Sequence, residues 1–227
     1  MEEKDLELCR FIFKKDALKR QVAANALASF TMLKEESRGF LENFTQLKNE
    51  QYAASPINLR YSDKGEMEFS LSFSSDVLMF SLHSNVFEFS RNHAVMQTPY
   101  VKEDKERSYC GVIHIYNFLA DSIEYGREND LGYLIGRVFI NKENHYFIEG
   151  KQELGLFYTG FGSSVFDRQA AGKLLRDAMR YSANFDLLTP PYDEIKDVTV
   201  GDVQEEWAYK KMTTGKRLGF QFKADRQ

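Results

Sequence analysis

The chain has 227 residues, and its 43% hydrophobic and 14% aromatic content is enough to build a packed core, which excludes global disorder. A formal net charge of -4 gives no overall attraction for nucleic acid or an anionic membrane and leaves only a local basic patch as a route to either. Two cysteines, Cys9 and Cys110, make neither a disulfide framework nor a paired-cysteine metal knuckle, and no apolar run is long enough to span a membrane.

The start, Met1-Glu2-Glu3-Lys4-Asp5, is charged and lacks the apolar core of a secretory signal, so a cytoplasmic setting is expected. From Leu6 to Leu47 the pattern is helical. Leu18, Val22, Ala26, Phe30 and Leu33 recur at helical spacing, Gly39 reads as a break or kink, and Phe40, Leu41, Phe44 and Leu47 form a second face. Such a stripe packs on the protein's own sheet, as most amphipathic helices do.

The period changes after Ser55-Pro56. Ile57 to Tyr61 reads as a strand, and Asp63-Lys64-Gly65 supplies turn chemistry. Met67, Phe69, Leu71 and Phe73 then alternate with Glu68, Ser70 and Ser72, predicting one buried face and one wet face. Val77 to Leu82 and Val86 to Phe89 complete an expected four-stranded antiparallel meander. Arg91 to Ser108 is polar, and its charge run of balanced sign, Lys102 to Arg107, reads as a solvated loop. Val112 to Tyr116 is expected as a strand, and Phe118 to Tyr125 as a short helix or turn.

The stretch from Leu131 to Gly162 organises what remains. Leu134 to Ile140 and His145 to Glu149 form a hairpin across the polar loop Asn141-Lys142-Glu143-Asn144. Leu156 to Thr159 follows as a third strand and ends in Gly160-Phe161-Gly162. A helix is predicted next, capped by Ser163 or Ser164, with Phe166, Ala170, Leu174 and Ala178 on one face. The expected division is an α+β core over residues 1–184 and an appendage over 185–227. In the appendage Asp202 to Glu205 opens a helix through Trp207 to Met212, and Leu218 to Phe222 is a strand. The fold class is α+β: an antiparallel sheet of about six to eight strands with N-terminal and C-terminal helices packed on it.

Several groups of residues could carry chemistry. Glu149-Gly150-Lys151 at a strand end resembles the E-x-K half of the restriction-endonuclease-like nuclease motif. That resemblance implies two carboxylates around a divalent cation and a lysine that orients the attacking water, with Glu149 and Lys151 as the catalytic candidates. The neighbouring strand, Leu134 to Ile140, holds no carboxylate to complete such a site. Cys110 and His114 share a strand face, but four residues of strand span about 13 Å, too far for proton transfer. His83, His93, His114 and His145 form no paired zinc motif, so no metal or other cofactor is expected. The glycine-rich Gly155 to Gly162 lacks the lysine of a phosphate loop. A weaker anion site remains at Gly160, Gly162, Ser163 and Ser164, ahead of a helix. The run Lys210, Lys211, Lys216, Arg217 and Lys223, interleaved with aromatics, reads as a solvated helix face diluted by Glu205, Glu206 and Asp225.

The leading expectation is a non-catalytic binding or interaction module with a protein or small-molecule partner rather than nucleic acid or membrane. One alternative is a small-molecule pocket between the sheet and the helix that begins near Val165. The other is the metal-dependent nuclease.

Overall fold

The computed structural model describes residues 3–150, 160–186, 189, 191–197 and 199–201. The helix α1 (Glu3–Gln51) leads into β1 (Leu59–Asp63), β2 (Glu68–Phe73), β3 (Asp76–Leu82) and the short β4 (Phe87–Glu88). A helical connection contains α2 (Pro99–Glu103), and β5 (Tyr109–Leu119), α3 (Ala120–Glu124), β6 (Tyr133–Asn141) and β7 (Tyr146–Gly150) follow. After residue 160 come α4 (Arg168–Ala183) and α5 (Tyr192–Ile195). The strands form one antiparallel sheet in the order β1-β2-β3-β5-β6-β7, with β4 beside β5. The fold is therefore α+β.

One face of the sheet lies under α1 and α4. Phe69, Leu71, Leu78, Phe80, Ile113, Ile115, Val138 and Ile140 from the strands meet Phe30 and Leu33 of α1 and Leu174, Leu175 and Ala178 of α4. Burying this surface is the main favourable term in the fold. Where α1 crosses β5, a Cβ on Gly111 would come within 2.3 Å of the Ala26 Cβ, so glycine permits the close approach. Arg168 joins the two helices through Glu35 at 2.8 Å and Glu36 at 2.6 Å.

Among the described residues the opposite face is covered only at its ends. At one end Phe89, Val95 and Val101 pack with Cys110, Val112, Phe139, Phe147 and Phe161. At the other, the segment before β6 presses on Phe118, whose ring lies 2.0 Å from where a Gly132 Cβ would stand. Between these ends lie Met79, Ser81, His114, Tyr116 and Arg137, all half-buried.

Several expectations are corrected. α1 runs through Gly39 without a break, because Ser37 and Leu41 on either side are buried in packing that outweighs the roughly 1 kcal/mol a helical glycine costs. The first strand starts at Leu59, two residues late. In β2, Phe69, Leu71 and Phe73 are buried as expected, but Met67 is exposed and Ser70 is buried, its short side chain shaded by neighbours on both adjoining strands. The meander stops at three strands. β3 pairs with β5, while Phe87 and Glu88 make only a two-residue pairing with Cys110 and Tyr109.

The charged stretch from Arg91 to Ser108 is not a solvated loop. It forms 3-10 turns around α2, buries Val95 and Val101, and spends its charges on the hairpin loop. Lys142 bonds Asp104 at 2.6 Å and Glu106 at 2.8 Å. At the start of α4 the cap is Asp167, whose carboxylate accepts from the Ala170 amide at 2.8 Å, and neither Ser163 nor Ser164. Phe166 therefore precedes the helix, although it is buried as expected. The expected strand Leu156 to Thr159, Lys151, and the helix and strand of the appendage lie outside the described residues.

Candidate functional site

Two polar regions share the outer face, and the registers build both. On β5 the even-numbered side chains point outward: Cys110, Val112, His114, Tyr116 and Phe118. Pairing sets Ser81 of β3 and Arg137 of β6 opposite His114, Glu68 opposite Ser81, and Glu149 of β7 opposite Arg137. The result is a row across five strands: Glu68, Ser81, His114, Arg137, Glu149. A parallel row one step along holds Ser70, Met79, Tyr116 and Leu134.

In the charged row Arg137 forms an ion pair with Glu149, and Glu68 pairs with Lys64 at 3.3 Å. The His114 ring stacks on Tyr116 with centroids 5.8 Å apart and stands 6.2 Å from the His83 ring. Burial pushes the His114 imidazole below the ordinary histidine range, and the charges of Arg137 and His83 act in the same direction. A half-buried neutral imidazole beside a guanidinium and a phenol ring offers mixed polar and aromatic contact.

The second region surrounds Tyr100 of α2. Its hydroxyl donates to Glu143 at 2.6 Å, accepts from the Asn141 side-chain amide at 2.8 Å, and lies 2.9 Å from Nδ1 of His145. One hydroxyl proton and two lone pairs are then all engaged, which places the His145 ring proton on Nδ1. Arg107 bonds Glu143 at 2.9 Å and Glu103 at 2.6 Å, and its guanidinium lies 4.4 Å from the Tyr100 ring centroid. Burial, helped by the bond to Glu143, raises the Tyr100 pKa. Although burial opposes it, the bonds from Tyr100 and Arg107 hold the Glu143 carboxyl below the usual range. The Asn141 side chain also accepts from the Glu143 and His145 amides, both at 3.0 Å, which closes the hairpin loop. This cluster is a clasp with its hydrogen bonds used internally.

The residues singled out from the sequence fall around these regions. Glu149 ends the charged row and is bonded to Arg137, where the nuclease resemblance requires a second acid; its companion Lys151 lies outside the described residues. The amides of Ser163 and Ser164 both donate to the Gly160 carbonyl, at 3.0 and 2.9 Å, and so are turned into the bend that would hold an anion. Gly162 lies against the Tyr100 ring, where a Cβ would come within 2.9 Å, so Gly162 serves close packing on the clasp. Cys110 is buried in the aromatic end, its thiol pushed up by burial, while His114 sits in the half-buried row. The expected pocket under α4 is occupied by Phe166, Leu174, Leu175, Ala178 and Met179. Among the described residues no three His, Cys, Asp or Glu side chains converge to hold a metal ion, and no helix is long and apolar enough to cross a membrane.

Sequence reading missed Tyr100, Arg107 and Arg137. Arg137 was within reach, since the hairpin register sets it opposite Glu149. Tyr100 carries no local signal, because its partners lie about forty residues further along the chain. Comparison with protein-family models, with curated protein sequences and with solved structures finds no match to this chain.

Proposed function

We propose that this chain is a non-catalytic, cytoplasmic interaction module that binds an extended protein segment across the open middle of its sheet. The observation that carries this reading is the strip between Glu68 and Glu149, in which Met79, Ser81, His114, Tyr116 and Arg137 stay half-buried among the described residues while both ends of the same face are covered. Five strands at roughly 4.8 Å each make a strip about 19 Å long, which matches an extended chain of about six residues better than a compact metabolite. His114, Arg137 and Ser81 offer polar contact, and Met79 and Tyr116 offer apolar and aromatic contact, the mixture that protein interfaces favour. The clasp at Tyr100 supports a binding role indirectly: its acids and bases are consumed by one another.

Selection of a peptide library on the parent protein, with counter-selection on a Ser81→Arg variant, tests this. Ser81→Arg fills the strip without touching the helix-covered core. The expected result is a set of peptides that bind the parent at least about tenfold tighter than the variant, a difference of about 1.4 kcal/mol. No enrichment, or peptides that bind both proteins equally, would remove the strip from consideration.

A small-molecule reading has its own observation. An open groove of about 620 Å³ lies between the last third of α1 and β1, lined by Arg38, Leu41, Thr45, Asn49 and Tyr61. Its volume is in the range of ligand sites. A ligand whose affinity changes in Thr45→Trp but not in Ser81→Arg would favour that groove over the strip.

A further inference from the structure

The first turns of α1 extend past the sheet. Leu18 is the first buried residue of the helix, and before it Leu8, Phe11 and Ile12 are 58%, 64% and 53% exposed. These three continue the line that packs on the sheet: Phe11, Lys15, Leu18, Val22 and Ala26 follow one another at steps of three and four. A core-facing stripe therefore runs on into solvent. Exposed apolar patches of this kind mark interaction surfaces.

We propose that this arm, over residues 3–14, pairs antiparallel with the same arm of a second copy of the chain. The argument is charge complementarity along one edge of the stripe. Glu3, Glu7, Arg10 and Lys14 lie on that edge at steps of four, three and four. When two antiparallel helices pack, the same edge of each meets, so residue levels run in opposite order. With the two-fold axis between Leu8 and Cys9, Glu3 comes level with Lys14 of the second copy and Glu7 with Arg10. Both pairs then occur twice. Parallel pairing would not bring this edge onto itself.

Among the described residues Glu3, Glu7 and Arg10 form no ion pair, and Lys14, bonded to Glu106 at 2.8 Å, keeps a side chain 77% exposed. The overlap ends where Lys15 touches Tyr109, so the two sheets stand at opposite ends of the paired arms without meeting. Leu6 and Phe13 lie on the reverse of the helix and take no part. The acidic tip formed by Glu3 and Glu7 disfavours an anionic membrane surface as the occupant.

The twelve overlapping residues span about 18 Å. A contact of this length is small against the roughly 800 Å² per partner of a standard stable interface, so a weak, concentration-dependent dimer is expected. Sedimentation equilibrium over a concentration series tests the pairing on four proteins: the parent, Ile12→Glu, Glu7→Arg, and the double variant Glu7→Arg/Arg10→Glu. Helix content by circular dichroism confirms that each remains folded. The parent should dimerise and Ile12→Glu should be monomeric at every concentration. Glu7→Arg should weaken association by about tenfold, because like charges then meet at two symmetric places. The double variant should recover to within about threefold of the parent, since reversed pairs attract equally. A parent that stays monomeric overturns the proposal, as does a dimer that survives Ile12→Glu or a double variant that fails to recover. Binding of a monomeric parent to phosphatidylserine vesicles would instead assign the arm to a membrane surface.

Discussion

Around Tyr100 and around His114 the same face of one sheet carries clusters of polar and titratable side chains, and they differ in how their hydrogen-bonding capacity is spent. At Tyr100 the hydroxyl, the Asn141 amide, the Glu143 carboxylate and the Arg107 guanidinium bond one another, and an aromatic layer of Phe89, Phe139, Phe147 and Phe161 seals the sheet beneath. At His114 the side chains stand in rows on the strands, half-buried, with ring stacking and one cross-strand ion pair. Titratable residues gathered together do not by themselves indicate a reactive site. A network whose members satisfy each other is architecture; a row that leaves capacity over is where a partner has something to gain.

The contrast is most easily broken in the apolar layer. Phe147→Ala should cost about 3–5 kcal/mol by urea denaturation, because it empties a buried aromatic site, while Met79→Ala in the strip should cost under about 1.5 kcal/mol. Equal losses would mean that the strip is as tightly packed as the closed end.

Next in size is the hydroxyl of the clasp. Tyr100→Phe removes a group with three partners and strands the buried Asn141, so a loss of about 1–3 kcal/mol is expected. Tyr116→Phe in the strip should stay within about 0.5 kcal/mol. A clasp variant as stable as the parent would show that water replaces its bonds freely.

A smaller difference separates the true helix cap from the serines before it. Asp167→Ala should cost about 0.5–2 kcal/mol, and Ser164→Ala much less, as read from thermal melting. The reverse order would return the helix start to the glycine bend and reopen it as an anion site.

The smallest effect is a pH dependence that belongs to the strip alone. The folded His114 titrates below its ordinary value of 6.5, so the unfolded chain takes up the proton first as pH falls. Stability from this residue is fully present above about pH 6.5 and is lost as pH drops from there through the lower folded value. Comparing melting curves of the parent and His114→Gln between pH 7 and pH 5 should show the parent losing more of its stability on acidification. Parallel curves would mean that His114 is as well solvated in the fold as out of it.

What could be read beforehand follows the range of the interactions. The buried alternation of Phe69, Leu71 and Phe73 and the Asn-rich hairpin at Asn141 to Asn144 carry their instructions within a few residues, and both were legible. The closed end was not, because its charges are balanced locally and spent at a distance: Lys102 to Arg107 looks like a solvated run until Lys142 and Glu143 are brought to it. Ser70 misled for a similar reason, since strand alternation records the side a residue faces and not how its neighbours shade it. In the candidate strip, Glu149 could be singled out as a charged strand end, but its row depends on β3 meeting β5 past β4, and no local pattern encodes that crossover.

The close approach of Ala26 to Gly111 has a consequence for how the chain can vary. It holds α1, about 74 Å long at 1.5 Å per residue, at one height and one rotation on the sheet, so everything before Leu18 inherits a fixed phase. Inserting one residue ahead of Leu18 would turn the exposed stripe by about 100°, away from the direction it now faces. Inserting seven would restore that direction to within about 20° and carry the tip about 10 Å further out. The projecting part of the molecule thus behaves as a graduated strut, and its length can drift in steps of seven while its heading stays the same.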